Sequence, residues 1–229
     1  MLKTIIAYSK ISKESHRHPV EKLCLCLFPM ILVGFCNKPL PIAINIIIFL
    51  ILHIIANNPR SIVFKFALTT FSFAILSSIT FIFIYDIEYI VVIVLKGISG
   101  GLCISYLALT TPLDHIIGLL SKFDSLRDIC DIAKGMETYI LLINDEASSI
   151  YTAMKSRNGF NSFKSQLFNM GKLAGLLFSN TLKRWPLIRD SLNSRCYKGY
   201  HYYKSYEFII NYKMCLFTFT YTIFLLILI

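Results

Sequence analysis

Apolar residues in this chain gather into long runs separated by short polar breaks, except in one stretch where they recur at intervals of three and four. The runs cover about Val20 to Phe35, Pro41 to Ala56, Val63 to Tyr85, Tyr89 to Leu109 and Phe208 to Ile229. Such runs predict membrane-spanning helices, because about 20 apolar residues at 1.5 Å each cross a hydrocarbon core about 30 Å thick. Asn37-Lys38-Pro39-Leu40-Pro41 and Asn57-Asn58-Pro59-Arg60 carry the Asn and Pro residues that end helices, and Asp86-Ile87-Glu88 is a third break. The first two runs are short, and a tilted or re-entrant pair is the alternative to two separate spans.

The exceptional stretch lies within 112–207, which contains no uninterrupted span. Apolar or small residues fall at 136, 140, 143, 147, 150 and 154, one stripe along a helix from about Leu126 to Asn158, about 50 Å long. Glu137, Asp145, Glu146 and Lys155 take its other face. The same spacing runs through Phe163, Leu167, Met170, Ala174, Leu177, Thr181, Trp185, Ile188 and Leu192, predicting a second amphipathic helix. Between them, Asn158-Gly159-Phe160-Asn161-Ser162 reads as C-cap, turn and N-cap. Gly171-x-x-x-Gly175 strips side chains from one face and would let another helix cross closely. Pro186 falls inside the second pattern and is expected to bend or divide that helix, placing Arg195 on a separate short segment. The fold class expected is an all-α integral membrane protein of about five transmembrane helices plus two long cytosolic amphipathic helices. Its regions are 1–111 with about four spans, 112–207 in the cytosol, and 208–229 as a last span.

Composition agrees with a membrane chain: 55% of the 229 residues are hydrophobic and the mean hydropathy is +0.62. A net charge of +10 resembles a nucleic-acid signal in isolation. In so apolar a chain it reads instead as the Lys and Arg excess kept on the cytoplasmic side, and no nucleic-acid partner is expected. Lys3, Lys10, Lys13, Arg17 and Lys22 hold the N-terminus inside, the Asp86-Ile87-Glu88 loop falls outside, and the amphipathic stretch returns to the cytosol. The first 22 residues are too polar to form the continuous apolar core of a cleavable signal.

Seven cysteines show no zinc-type spacing. Cys24-x-Cys26 beside His16-x-His18 is the nearest approach to a soft-metal cluster, yet one helix splays Cys24 and Cys26 about 200° apart. No metal or cofactor is expected. Within the spans, His53 reads as a hydrogen bonder between helices and Lys96 as a side chain snorkelling outward. Gly97, Gly100 and Gly101 suggest close packing or a kink.

Candidate chemistry centres on two phrases, Ala153-Met154-Lys155-Ser156-Arg157-Asn158-Gly159 and Leu192-Asn193-Ser194-Arg195-Cys196-Tyr197-Lys198-Gly199. Each closes a helical pattern with an arginine and then a glycine. Basic residues suit a helix C-terminus through its dipole, and an arginine fork suits a carboxylate or the backbone carbonyls of a partner. Capping and docking are evenly matched on the residues alone. A membrane-embedded lipid-phosphate enzyme is the rival reading, with Asp124, Asp128 and Asp131 placed to hold Mg²⁺.

Several stretches in order carry a resemblance: His18-Pro19-Val20 with Lys22-Leu23, Leu109-Thr110-Thr111-Pro112-Leu113, Tyr139-Ile140-Leu141-Leu142-Ile143-Asn144-Asp145-Glu146-Ala147, and the two arginine phrases. Together they resemble the transmembrane T component of energy-coupling factor (ECF) transporters, the EcfT/CbiQ family. The resemblance implies a non-enzymatic subunit of a prokaryotic plasma-membrane importer, with cobalt or nickel as cargo, or a vitamin as the alternative. It implies two ABC-type ATPase subunits docked on Ser156-Arg157-Asn158 and Ser194-Arg195-Cys196, and a separate membrane subunit that binds the substrate. The family usually carries Ala-Arg-Gly or Ala-Arg-Ser at these motifs, so serine in first place and Asn158 or Cys196 in last place are departures.

Overall fold

The computed structural model describes residues 2–81, 85–197, 208 and 211–228, and these are helical throughout apart from turns and short connections. In chain order the helices are α1 (Leu2–Ile11), α2 (Pro19–Phe35), α3 (Pro39–Ile55), α4 (Arg60–Ser78), α5 (Ile87–Thr110), α6 (Leu113–Leu120), α7 (Arg127–Ser156), α8 (Phe163–Ser194) and α9 (Tyr212–Leu228). Short 3-10 turns at Ile79–Phe81 and Asp124–Leu126 follow α4 and precede α7. The chain divides into two compact units, Met1–Ile116 with Tyr206–Ile229, and Ile117–Ser205.

Among the described residues, α4 with its 3-10 extension (Arg60–Phe81) and α5 are long and apolar enough to cross a membrane. α3 and α9 are apolar but have 17 residues each, about 26 Å of helix. α2 is equally long and carries Glu21 in its first turn. Residues 82–84, which close the expected third run, lie outside the described residues.

In the first unit α5 is the hub, packed by α1, α2, α3 and α4. Leu25, Cys26, Phe49, Leu52, Val63, Leu102, Tyr106 and Leu109 make its main buried cluster. α4 crosses α5 closely because Gly97 and Gly101 present no side chain. A Cβ on Gly97 would stand 2.7 Å from the Cβ of Ala74, and one on Gly101 would collide with Thr70, whereas Gly100 faces open space. Two of the three glycines therefore serve packing.

Polar groups hold this apolar unit in register, as they do where lipid supplies no hydrophobic drive between helices. Asn45, wholly buried, donates from Nδ2 to Ser99 Oγ at 2.6 Å and accepts from the Tyr221 hydroxyl, joining α3, α5 and α9. His53 bridges as its position suggested. Its Nε2 lies 2.9 Å from Ser105 Oγ and its Nδ1 2.8 Å from Asn58 Nδ2. Glu21 accepts from the Asn211 N–H just before α9.

Two lysines, one on α2 and one on α5, act reciprocally. Lys22 of α2, 1% exposed, donates to the Thr110 carbonyl at the end of α5, at 2.8 Å. Lys96 of α5 donates to the Gly34 carbonyl in the last turn of α2, at 2.9 Å. Each ammonium neutralises the negative end of the neighbouring helix, whose final carbonyls lack intrahelical partners. Lys96 thus bonds the end of a neighbouring helix.

Candidate partner-docking site

The second unit is built from α7 and α8. Glu146 accepts from Asn180 at 2.7 Å and pairs with Arg184 at 3.3 Å, and the rings of Tyr151 and Phe160 lie 4.9 Å apart. These contacts hold α7 and α8 together. Ser165 and Asn169 in the early turns of α8 donate to the Gly159 carbonyl, and Gln166 donates to that of Phe160. Ser162 takes the N-cap position with extended backbone but makes no side-chain cap bond.

Both arginine motifs close their helices in the same way. Arg157 is the C-cap of α7 (φ −90, ψ 18) and Arg195 that of α8 (φ −90, ψ 14). The following residues, Asn158 (φ 62) and Cys196 (φ 56), are left-handed. At the first end Asn158 N–H bonds to Lys155 O and Gly159 N–H to Met154 O. At the second, Cys196 N–H bonds to Asn193 O and Tyr197 N–H to Leu192 O. This is the Schellman closure, whose left-handed residue is most often glycine because any Cβ there meets the backbone. The last place of each motif is therefore a conformational position, and asparagine tolerates it better than cysteine.

The serines of both motifs turn back on their own helices. Ser156 donates to the Ala153 carbonyl at 3.0 Å and Ser194 to that of Asp190 at 2.8 Å. Arg157 and Arg195 are exposed, and neither makes a side-chain hydrogen bond or ion pair among the described residues. Among the described residues each guanidinium keeps its donors free. The motifs stand at opposite ends of α8, whose 32 residues separate them by about 48 Å. Tyr197, after the second motif, has its phenol pKa raised by burial and by Asp131 near the start of α7. Gly199 and Lys198 of the second phrase lie outside the described residues.

Pro186 does not divide α8, which runs unbroken from Phe163 to Ser194. The proline removes one N–H, and Leu182, whose carbonyl loses that partner, sits on an exposed turn where water can replace it. Arg195 consequently caps the same helix that begins at Phe163. Gly171 and Gly175 have nothing within 4 Å of an added Cβ. The face they open is unoccupied by the described residues.

Sequence reasoning missed α1, α6, the reciprocal lysines and the Asn45–Tyr221 contact. Of the rival carboxylates, Asp124 lies in the 3-10 turn, Asp128 in the first turn of α7 and Asp131 one turn on. No group of three or more His, Cys, Asp or Glu placed to hold a metal ion occurs among the described residues.

Comparison with known proteins follows the same lines. The family model for CbiQ, cobalt transport protein, matches residues 11–206. Over 108 residues the chain is 32% identical to a protein of Methanocorpusculum labreanum (strain ATCC 43576 / DSM 4855 / Z) named as a fused cobalt transport protein, CbiMQ. That alignment covers 47% of this chain and 18% of the relative's length.

Proposed function

The chain belongs to the CbiQ cobalt transport protein family, a family of transmembrane transporter components and not of enzymes, and from that premise we propose that it couples ATPase motion to a separate substrate-binding membrane subunit. In this reading it is the T component of an ECF-type importer. Two ABC-type ATPase subunits dock on Ser156-Arg157-Asn158 and Ser194-Arg195-Cys196, and α7 and α8 transmit their movement. The observation that carries the reading is the identical closure of both helices, each ending in an exposed, unpartnered arginine. A capping role alone would leave the arginine forks without the planar acceptors they suit.

In this reading α2, α3, α4, α5 and α9 are the spans, and the Lys and Arg excess at the N-terminus supports an inward N-terminus with both arginine motifs in the cytosol. The 17-residue helices match a bilayer that thins slightly around them. Gly171 and Gly175 offer α8's bare face to the substrate-binding subunit. The relative whose name joins CbiM to CbiQ in one chain supports such an association and favours cobalt as cargo.

Co-purification with the ATPase subunits tests the docking. Changing Arg157 and Arg195 together to Ala should dissolve the complex, since truncating one member of a buried charged pair costs on the order of 2–5 kcal/mol. A folded double variant that binds the ATPases as tightly as the native chain would sink the assignment. Uptake of labelled cobalt, nickel and vitamins by cells carrying the assembled transporter separates the cargo readings.

A further inference from the structure

A cavity of about 440 Å³ opens beside the turn that joins α3 to α4, within the range of roughly 300–1,000 Å³ in which small ligands are held. Its two ends differ in chemistry. One end gathers Asn57, Asn58 and Arg60; the walls running from it are Leu50, Ile54 and Phe64, all well exposed. Arg60 is the one charged residue among those lining the cavity, and it has no hydrogen bond or ion pair among the described residues.

The polar end is built rather than incidental. Asn57 is left-handed (φ 52) and closes α3 by the same Schellman pattern as the arginine motifs, with Asn58 N–H bonded to the His53 carbonyl. Asn58 is further fixed by His53 Nδ1, and His53 is anchored on its other side by Ser105. The turn is thereby held in one shape with Arg60 beside the opening.

We propose that this cavity is a binding site for an anionic phospholipid, with the phosphate at Arg60 and the amide side chains of the turn, and an acyl chain along Leu50, Ile54 and Phe64. Charge and polarity both select that occupant. The cavity has a cation without a counter-ion at one end and an open apolar wall at the other, the two halves of a lipid that a free phosphate would not satisfy. Its place on the basic side of the membrane meets the leaflet in which anionic headgroups attract Lys and Arg. The proposal rests on the membrane orientation of the coupling reading, but not on the ATPases or the cargo.

Native mass spectrometry of the purified full chain with phosphatidylglycerol or phosphatidylcholine tests it. The native chain should retain phosphatidylglycerol about fivefold more, the contribution expected of one basic residue near an anionic surface. Arg60→Gln should abolish that preference while leaving the thermal midpoint in phosphatidylcholine unchanged, and Arg60→Lys should keep most of it. Equal retention of the two lipids overturns the proposal, as does a preference that survives Arg60→Gln. So does a photocrosslinker at position 64 that captures a partner subunit instead of lipid in the assembled transporter. None of these outcomes changes whether Arg157 and Arg195 hold the ATPases, so the two readings fail separately.

Discussion

The two compact units use the same helical periodicity to opposite ends. In the first, Leu25, Ile42, Phe49 and Leu109 are 0% exposed, and even Lys22 is inside. In the second, α8 has no buried residue at all, with Phe163 81% and Leu167 69% exposed on the apolar stripe. Apolar surface on the outside of the first unit forms nearly unbroken runs suited to lipid. The other faces of α8 carry Lys164, Lys172, Lys183, Arg184 and Arg189, so the helix as a whole does not suit immersion in hydrocarbon. Among the described residues nothing buries this stripe, and a long exposed apolar stripe is the kind of surface that marks an interaction face. The first unit thus buries its apolar side chains in a core, and the second leaves the stripe of α8 exposed.

The largest expected effect tests that contrast directly. Phe49→Ala should destabilise the chain by about 3–5 kcal/mol through lost packing and a residual cavity. Leu167→Ala should move stability by no more than about 0.5 kcal/mol, yet weaken assembly with the partner subunits. Thermal unfolding in detergent, paired with co-purification, reads both. Equal losses of stability would break the comparison.

Glycines sharpen it next. Gly101→Val drives a side chain into Thr70 and should cost about 1–3 kcal/mol by overpacking. Gly171→Leu meets open space in the chain itself. It should leave the unfolding midpoint nearly unchanged while reducing recovery of the substrate-binding subunit. Recovery undiminished by Gly171→Leu would remove the case for a helix crossing there. Below these comes Asn45→Leu, which leaves Tyr221 and Ser99 without their shared partner. Hydrogen bonds between membrane helices are worth about 0.6–1.7 kcal/mol, and the unfolding midpoint should fall accordingly.

Local signals made much of this legible in the sequence. The three-four spacing placed α7 at Leu126 to Asn158 against the observed Arg127–Ser156, and the Asn-Gly and Ser residues marked the turn to α8. What stayed hidden depends on partners far along the chain. Lys22 reads as a charge at a membrane entrance until Thr110, 88 residues away, is brought to it, and Asn45 reads as a stray amide without Tyr221. Pro186 misled for the opposite reason. Its local rule is sound, but the penalty of one missing hydrogen bond is small on an exposed turn, and the many remaining bonds of α8 outweigh it. Likewise Gly97 and Gly101 were indistinguishable from Gly100 until α4 showed which face it crosses.

The smallest effect concerns the difference between the two arginine ends. Both left-handed residues depart from the glycine that the geometry favours, but Asn158 carries a side chain that tolerates φ 62, and Cys196 has no such accommodation at φ 56. Replacing Cys196 by Gly relieves about 1–2 kcal/mol of backbone strain and returns about 0.5–1 kcal/mol as extra freedom of the unfolded chain. The net gain should be about 0.5–1 kcal/mol, seen as slower amide exchange at Cys196 and Tyr197. Asn158→Gly should give only a few tenths by the same route. Because the backbone closure is kept, Cys196→Gly should leave ATPase binding intact. Cys196→Val, β-branched in the left-handed region, should open the last turn of α8 and weaken binding at Arg195 alone. Binding unaffected by Cys196→Val would mean that Arg195 docks independently of the turn that presents it, and the likeness between the two helix ends would then lose its functional meaning.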